Sequence, residues 1–193
     1  MTEILPDNIP ADALLSLALV AVVLLLALAG ALGLRVLRRR RRSVERVIRA
    51  VAFDYLSDLV IPKADEGEIH LDHLLLTAEG LLVLDVKDVH GIVFGGDKLQ
   101  DWTVIAKDRR YTFSNPQPAL YDRIAAVRQI VRQVPVDGRV LFLDGAEFRK
   151  GTPEMVCTLD DLEALGNADA TVAAAKIDAF KPHWDQVRRA ARG

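Results

Sequence analysis

One cysteine, Cys157, stands among the 193 residues, so no intrachain disulfide can form and no cysteine-rich zinc cluster can be built. The four histidines show no zinc-ligand spacing, and no serine- or cysteine-based triad can be assembled from the pattern. Internal repeats and low-complexity tracts are missing apart from one arginine run. The glycines of "GIVFGG" lack the strand-then-helix setting of a phosphate-binding loop and read as turn residues. Most conspicuously, charge is absent from Ala13 to Leu34, a run of 22 residues.

At about 1.5 Å per helical residue that run spans roughly 33 Å, enough for a bilayer core. Glu3, Asp7 and Asp12 precede it, and Arg35 with Arg38 to Arg42 follow it. Positive residues stay in the cytoplasm, and a cleavable signal peptide carries the reverse order. The sequence therefore predicts a short extracytoplasmic segment (residues 1–12), an uncleaved single-pass transmembrane helix (13–34), an Arg-rich juxtamembrane segment (35–42) and a cytoplasmic domain (43–193), with the cell membrane as location. The arginines serve as a topology signal or contact anionic lipid, in preference to forming a nucleic-acid patch. From residue 43 onward 19 basic residues face 24 acidic ones, net −5, which argues against a surface that attracts nucleic acid everywhere but leaves room for a local basic groove.

In the domain, Val44, Val47, Ile48, Val51 and Tyr55 recur at helical spacing behind Ser43, predicting a helix over 43–57. Short apolar or alternating runs from "DLVIP" to "RYTFS" read as a strand meander. A helix follows "NP" and carries Leu120, Ile124, Val127 and Ile130 up to Pro135; "GRVLFLDG" is a buried strand, "EMVCT" another, "TLDDLEALG" a capped short helix closed by Gly166, and 168–190 a helix with Pro182 inside it. This order makes a layered α/β or α+β fold with 151 residues in one core.

One hairpin carries the chemistry. If "TAEG" is a two-residue turn pairing Thr77 with Gly80, cross-strand partners sum to 157, Asp72 faces Asp85, and Lys87 lies two residues along on the same face. Opposed carboxylates destabilise a sheet, and burying them costs several kcal/mol unless they are paired. Two readings remain. Lys87 neutralises Asp85 or Asp72 with no metal present, or the carboxylates hold Mg²⁺ or Mn²⁺, hard cations that accept one or two protein carboxylates plus water and phosphate oxygens. His70 shares the face of Asp72 and is a candidate substrate or outer contact, whereas His73 points to the other face. Trp102 reads as core before base stacking, and Arg123, Arg128 and Arg132 read as a solvated helix face, with phosphate contact as the alternative.

The stretch "GEIHLDHLLLTAEGLLVLDVKDVHGIVFGG", with Trp102 and the "NP" of Asn115 and Pro116, resembles the signature of the NERD (nuclease-related domain) family over residues 43 to 143. The resemblance implies a restriction-endonuclease-like mixed sheet flanked by helices, remotely related to PD-(D/E)XK nucleases, and a metal-dependent attack on nucleic-acid phosphodiesters. It makes Asp72 the metal-binding aspartate, Asp85 and Lys87 the acidic-x-Lys pair, and Glu45 the helix acid. The usual glutamate of that pair is Asp85 here, and the glutamine expected after "NP" is replaced by Ala119, with Gln117 as the nearest substitute. The rival class is a non-catalytic nuclease-like scaffold on the membrane that binds nucleic acid or a protein partner; a third reading is a membrane-complex subunit with no nucleic-acid role.

Overall fold

The computed structural model describes residues 11–63, 67–165 and 170–192. The order is α1 (Ala11–Val51), β1 (Asp54–Pro62), β2 (Glu68–Thr77), β3 (Gly80–Lys87), β4 (Gly91–Phe94), β5 (Asp101–Ala106), β6 (Arg109–Ser114), α2 (Gln117–Ile130), β7 (Val136–Phe142), β8 (Ala146–Glu147), β9 (Val156–Cys157), α3 (Leu159–Ala164) and α4 (Ala170–Ala190). The chain divides into two compact units at Ser43/Val44, inside α1.

In the first unit, α1 is helical through the uncharged run, and its apolar side chains Leu19, Val22, Leu24, Leu25, Leu26, Leu28 and Leu32 are exposed. Among the described residues no helix is long and apolar enough to cross a membrane. The predicted span 13–34 falls partly outside the residues whose side chains are described, as do the arginines from 35 to 42 and most of the segment 1–12. Gly166, the expected stop of α3, also lies outside the described residues.

The second unit, Val44–Gly193, is a mixed α/β layer structure with two mixed sheets flanked by helices. The larger sheet runs β1-β2-β3-β7-β9; β1, β2 and β3 are antiparallel, and β7 and β9 add in parallel beyond β3. The smaller runs β6-β5-β4-β8. The meander expectation is thereby corrected, because the free edge of β3 is taken by β7, from Leu81↔Val136 to Lys87↔Phe142, and β4 must pair elsewhere. Gly91 donates its N–H to Gly145 O, which starts the second sheet.

The helix predicted over 43–57 stops six residues early. Ala52 N–H makes the last helical bond, to Ile48 O, and Phe53 N–H then goes to Leu76 O, which hands Asp54–Pro62 to the sheet. Tyr55 is accordingly a strand residue. Asp54 fastens this corner by accepting from Trp184 Nε1 at 2.9 Å and pairing with Arg188.

Strand alternation sends β2 and β3 side chains to two cores. Leu75, Leu82 and Leu84 meet Val44, Val47 and Ile48 of α1 and Leu159 and Leu162 of α3. Leu74, Leu76, Leu81 and Val83 meet Leu120, Ile124 and Val127 of α2 and Ile177, Trp184 and Val187 of α4. Each fully buried Leu or Ile contributes about 2 kcal/mol of transfer free energy. Trp102 belongs to this second core, stacked on Phe142 at 6.1 Å with its Nε1 on Gly96 O, so it has no face left for a base.

Candidate active site

The β2–β3 ladder has the expected register: Thr77 pairs with Gly80, Leu75 with Leu82 and His73 with Leu84. A two-residue turn fixes it, reinforced by Thr77 Oγ1 donating to Gly80 O. The ladder stops at His73↔Leu84, one step short of Asp72 and Asp85. From there β2 follows β1 through Leu71 and His70, while Asp85, Val86 and Lys87 follow β7. The strands part, and the Asp72 carboxylate spans the gap by accepting the Val86 N–H at 2.8 Å.

Asp72 is also without a ladder partner on β1. Its register neighbour there is Asp58, a non-glycine residue at φ +54°, a left-handed conformation at which the pairing with β2 skips a step. His70 lies between the two acids, with Nε2 3.4 Å from Asp58 Oδ1 and Nδ1 3.6 Å from Asp72 Oδ1.

Asp85 is the focus. It is 2% exposed, and Lys87 Nζ donates to its Oδ1 at 2.9 Å. Its Oδ2 is buried and accepts no hydrogen bond; the nearest cation is Arg123 Nη1 at 3.8 Å, an ion pair without hydrogen-bond geometry. Burial pushes the Asp85 carboxyl above its ordinary range, and the Asp72 charge adds to the rise, against the hydrogen bond from Lys87 and the charges of Lys87 and Arg123. Asp72, Asp85 and Lys87 thus occupy one face at the point where the strands part.

Glu45 does not join them. It is exposed on α1 between Val44 and Val47, which pack on Leu75, Leu82 and Leu84, and those strand positions alternate with Asp72 and Asp85 and face the other way. Helical periodicity placed Glu45 on a helix but gave no information about which side of the sheet that helix covers.

Arg123, read from sequence as part of a solvated helix face with phosphate contact as the alternative, lies beside Asp85. It sits on α2, but its side chain is only 19% exposed; Nε donates to His70 O at 2.9 Å while the guanidinium turns to Asp85. Arg128, five residues on, instead donates to Val136 O. Asp58 was missed, since "SD" inside a strand carries no sequence signal for a positive φ. Gln117 is buried and occupied: its Nε2 donates to Asp97 Oδ1 at 2.8 Å and its Oε1 accepts from Asn115, which holds the entry to α2 and lowers the Asp97 carboxyl below its ordinary range. His73, on the opposite face, bonds Ser57 Oγ. Cys157 is no nucleophile, because burial raises its thiol to about 12.

Among the described residues no three His, Cys, Asp or Glu side chains gather as a metal-holding group. The donor set present is two carboxylates, and an orphaned Asp85 oxygen is the kind of hard, unsatisfied acceptor that a divalent cation completes. Two carboxylates do not hold a cation by themselves; Mg²⁺ or Mn²⁺ would need water and phosphate oxygens to complete its shell.

No solved structure matches the chain. A protein of Bacillus anthracis, described as uncharacterized, is 27% identical over 63 residues, covering 33% of this chain and 30% of that protein. Residues 38–143 match the family model described as nuclease-related domain, and that segment is more than half of the chain and contains the parted hairpin with Asp72, Asp85 and Lys87. This protein therefore belongs to the nuclease-related domain (NERD) family.

Proposed function

We propose that the protein is a membrane-anchored, nuclease-related enzyme that hydrolyses nucleic-acid phosphodiester bonds with Mg²⁺ or Mn²⁺, its domain on the cytoplasmic side of the cell membrane. The observation that carries the reading is Asp85: a buried carboxylate with Lys87 on one oxygen and nothing bonded to the other. A purely structural pair would satisfy both oxygens or be replaced by apolar residues at no loss of stability.

Asp85 and the Asp72 oxygen that faces His70 would hold the cation, which when bound would supply Lewis acidity to a phosphoryl oxygen and promote ionisation of water. Lys87, anchored on Asp85, holds its ammonium where it can orient the attacking water or stabilise charge building on the phosphate. Asp72 also ties β2 to β3 through Val86 N–H, fixing the carboxylate against the strand that carries Asp85 and Lys87. The uncharged run 13–34 and the arginines after it support the membrane tether, with lipid as its partner.

A non-catalytic scaffold that binds nucleic acid or protein is favoured by one observation: two cations, Lys87 and Arg123, already face Asp85, and no third metal-binding side chain accompanies it among the described residues. Incubating the full chain with DNA and RNA in Mg²⁺ separates the two. Cleavage is expected, falling by about 100-fold or more in Asp85→Ala and Lys87→Ala; cleavage that persists in both variants refutes the assignment. A protein that neither cuts nor binds Mn²⁺ is the scaffold.

A further inference from the structure

We infer that Arg123 is an exchangeable counter-cation. It neutralises Asp85 when no metal is present and, once a divalent cation takes that carboxylate, it presents its free guanidinium edge to the phosphate of the bound nucleic acid. The inference rests on the phosphodiesterase reading and adds to it a residue from a different element, with the substrate atom it contacts.

Three observations carry it. First, Arg123 is held at one point. Nε donates to His70 O at 2.9 Å, so the head of the side chain is fixed against β2 while no hydrogen bond engages Nη1 or Nη2 among the described residues. Second, the contact with Asp85 is loose. Nη1 stands 3.8 Å from Oδ2, near enough to stabilise a buried charge and too far to satisfy the oxygen as a hydrogen bond would. Third, the side chain leaves the solvated face of α2 to lie mostly buried against Asp85 and His70, whose own charged neighbours are Lys87, Asp58 and Asp72.

A guanidinium and a dication compete for the same carboxylate oxygen. When the dication wins, the two positive groups repel each other, and that repulsion is relieved if an anion bridges them. A phosphate does so, and the planar fork of arginine matches two of its oxygens in a way that a lysine ammonium does not. Arg123 therefore opposes metal binding and favours phosphate binding. A residue that only braced α2 against β2 would have neither effect, or would weaken both together.

The test measures two affinities in the full chain: Mn²⁺ alone by calorimetry, and a thymidylate dodecamer in Ca²⁺, which takes the same oxygen ligands. Arg123→Ala is expected to bind Mn²⁺ more tightly, by about three- to tenfold, and the dodecamer about tenfold more weakly. Arg123→Lys keeps the charge, so its Mn²⁺ affinity is expected to stay near that of the unmodified protein while dodecamer binding still falls several-fold. Both variants are compared at matched thermal unfolding midpoints, with Arg123→Gln in reserve if the alanine variant does not fold. If Mn²⁺ binds normally and removing Arg123 leaves both affinities unchanged, or weakens both in parallel, the exchange is overturned while the metal site stands. If the unmodified chain binds no Mn²⁺, the metal-site reading falls first and the exchange falls with it.

Discussion

Lys87 Nζ donates to Asp85 Oδ1 at 2.9 Å, and the second oxygen of the same carboxylate is buried 3.8 Å from Arg123 without a hydrogen bond. The pair is asymmetric in exposure: Asp85 is sealed, whereas about a third of the Lys87 side chain reaches solvent. Losing the lysine therefore strands a buried charge, and losing the aspartate releases an ammonium that water can accept.

Lys87→Met is accordingly expected to destabilise the domain by about 2 kcal/mol, below the 3–5 kcal/mol typical of a broken buried pair because Arg123 remains nearby and Lys87 is partly screened. Asp85→Asn should cost less, and Asp85→Asn combined with Lys87→Met should recover most of the loss, which a denaturant double-mutant cycle reads directly. The sign with pH follows from the raised Asp85 carboxyl. Its contribution to stability is present below the unfolded value near 3.8 and is lost as pH rises through the raised folded value, so the penalty of Lys87→Met should be smaller at pH 4 than at pH 7. Equal penalties at the two pH values would show that the stranded carboxylate is not the cause.

Gly80→Ala is expected to cost more than about 2 kcal/mol, measured by urea unfolding. Gly80 has φ +131°, and a Cβ there would stand 2.3 Å from Pro135 O, the same carbonyl that accepts the Leu81 N–H. Gly151 is the control: φ is +97° but nothing lies within 4 Å, so Gly151→Ala should cost only about 1 kcal/mol. Similar losses at both sites would mean that backbone conformation alone, and not the approach of Pro135, sets the cost.

The hairpin was readable from sequence because its information is local. A two-residue turn sets the register and period-two alternation sets the face, so the common side of Asp72, Asp85 and Lys87 followed without tertiary knowledge. Short helices with a cap or a proline boundary, such as α3 behind Thr158 and α2 behind Pro116, were legible for the same reason. What failed depends on contacts distant in the chain. Tyr55 fits a helical stripe, but β1 gains a whole ladder on β2 by capturing it. The second sheet arises because β7, about fifty residues after β3, occupies the edge that β4 would have used. Arg123 looks like any surface arginine of an amphipathic helix until the packing of Leu120 and Ile124 against β2 and β3 fixes where it points.

The cap of α3 carries a pH signature. Thr158 Oγ1 accepts from Asp161 N–H, and the Asp161 carboxylate accepts from Thr158 N–H at 2.8 Å and from its hydroxyl at 2.7 Å. The backbone bond first, and the hydroxyl second, hold Asp161 below its ordinary 3.8. Its stabilisation is present above the unfolded value and disappears as pH falls through the lowered one. Thr158→Ala is expected to cost about 1 kcal/mol at pH 7 and visibly less near pH 3, by thermal unfolding at each pH. A loss independent of pH would show that the hydroxyl's bond to the Asp161 carboxylate contributes nothing to the cap.

The proposed membrane tether makes the last prediction. On α1 the apolar side chains Leu19, Leu24, Leu25 and Leu26 are each at least 64% exposed, in a run that carries no charge from residue 13 to 34. Exposed leucines in this number cost roughly 2 kcal/mol apiece in water relative to hydrocarbon, so the helix gains a large transfer free energy from a bilayer. The arginines that follow cannot enter the hydrocarbon and would stop the segment at an anionic surface. The full chain is expected to stay with membranes through both high salt and alkaline carbonate, because salt screens arginine–lipid contacts but leaves hydrocarbon burial intact. Residues 43–193 alone, which contain the whole second compact unit, should remain in the supernatant. Release of the full chain by salt would reduce the association to surface charge, and release by carbonate would end the case for a spanning helix.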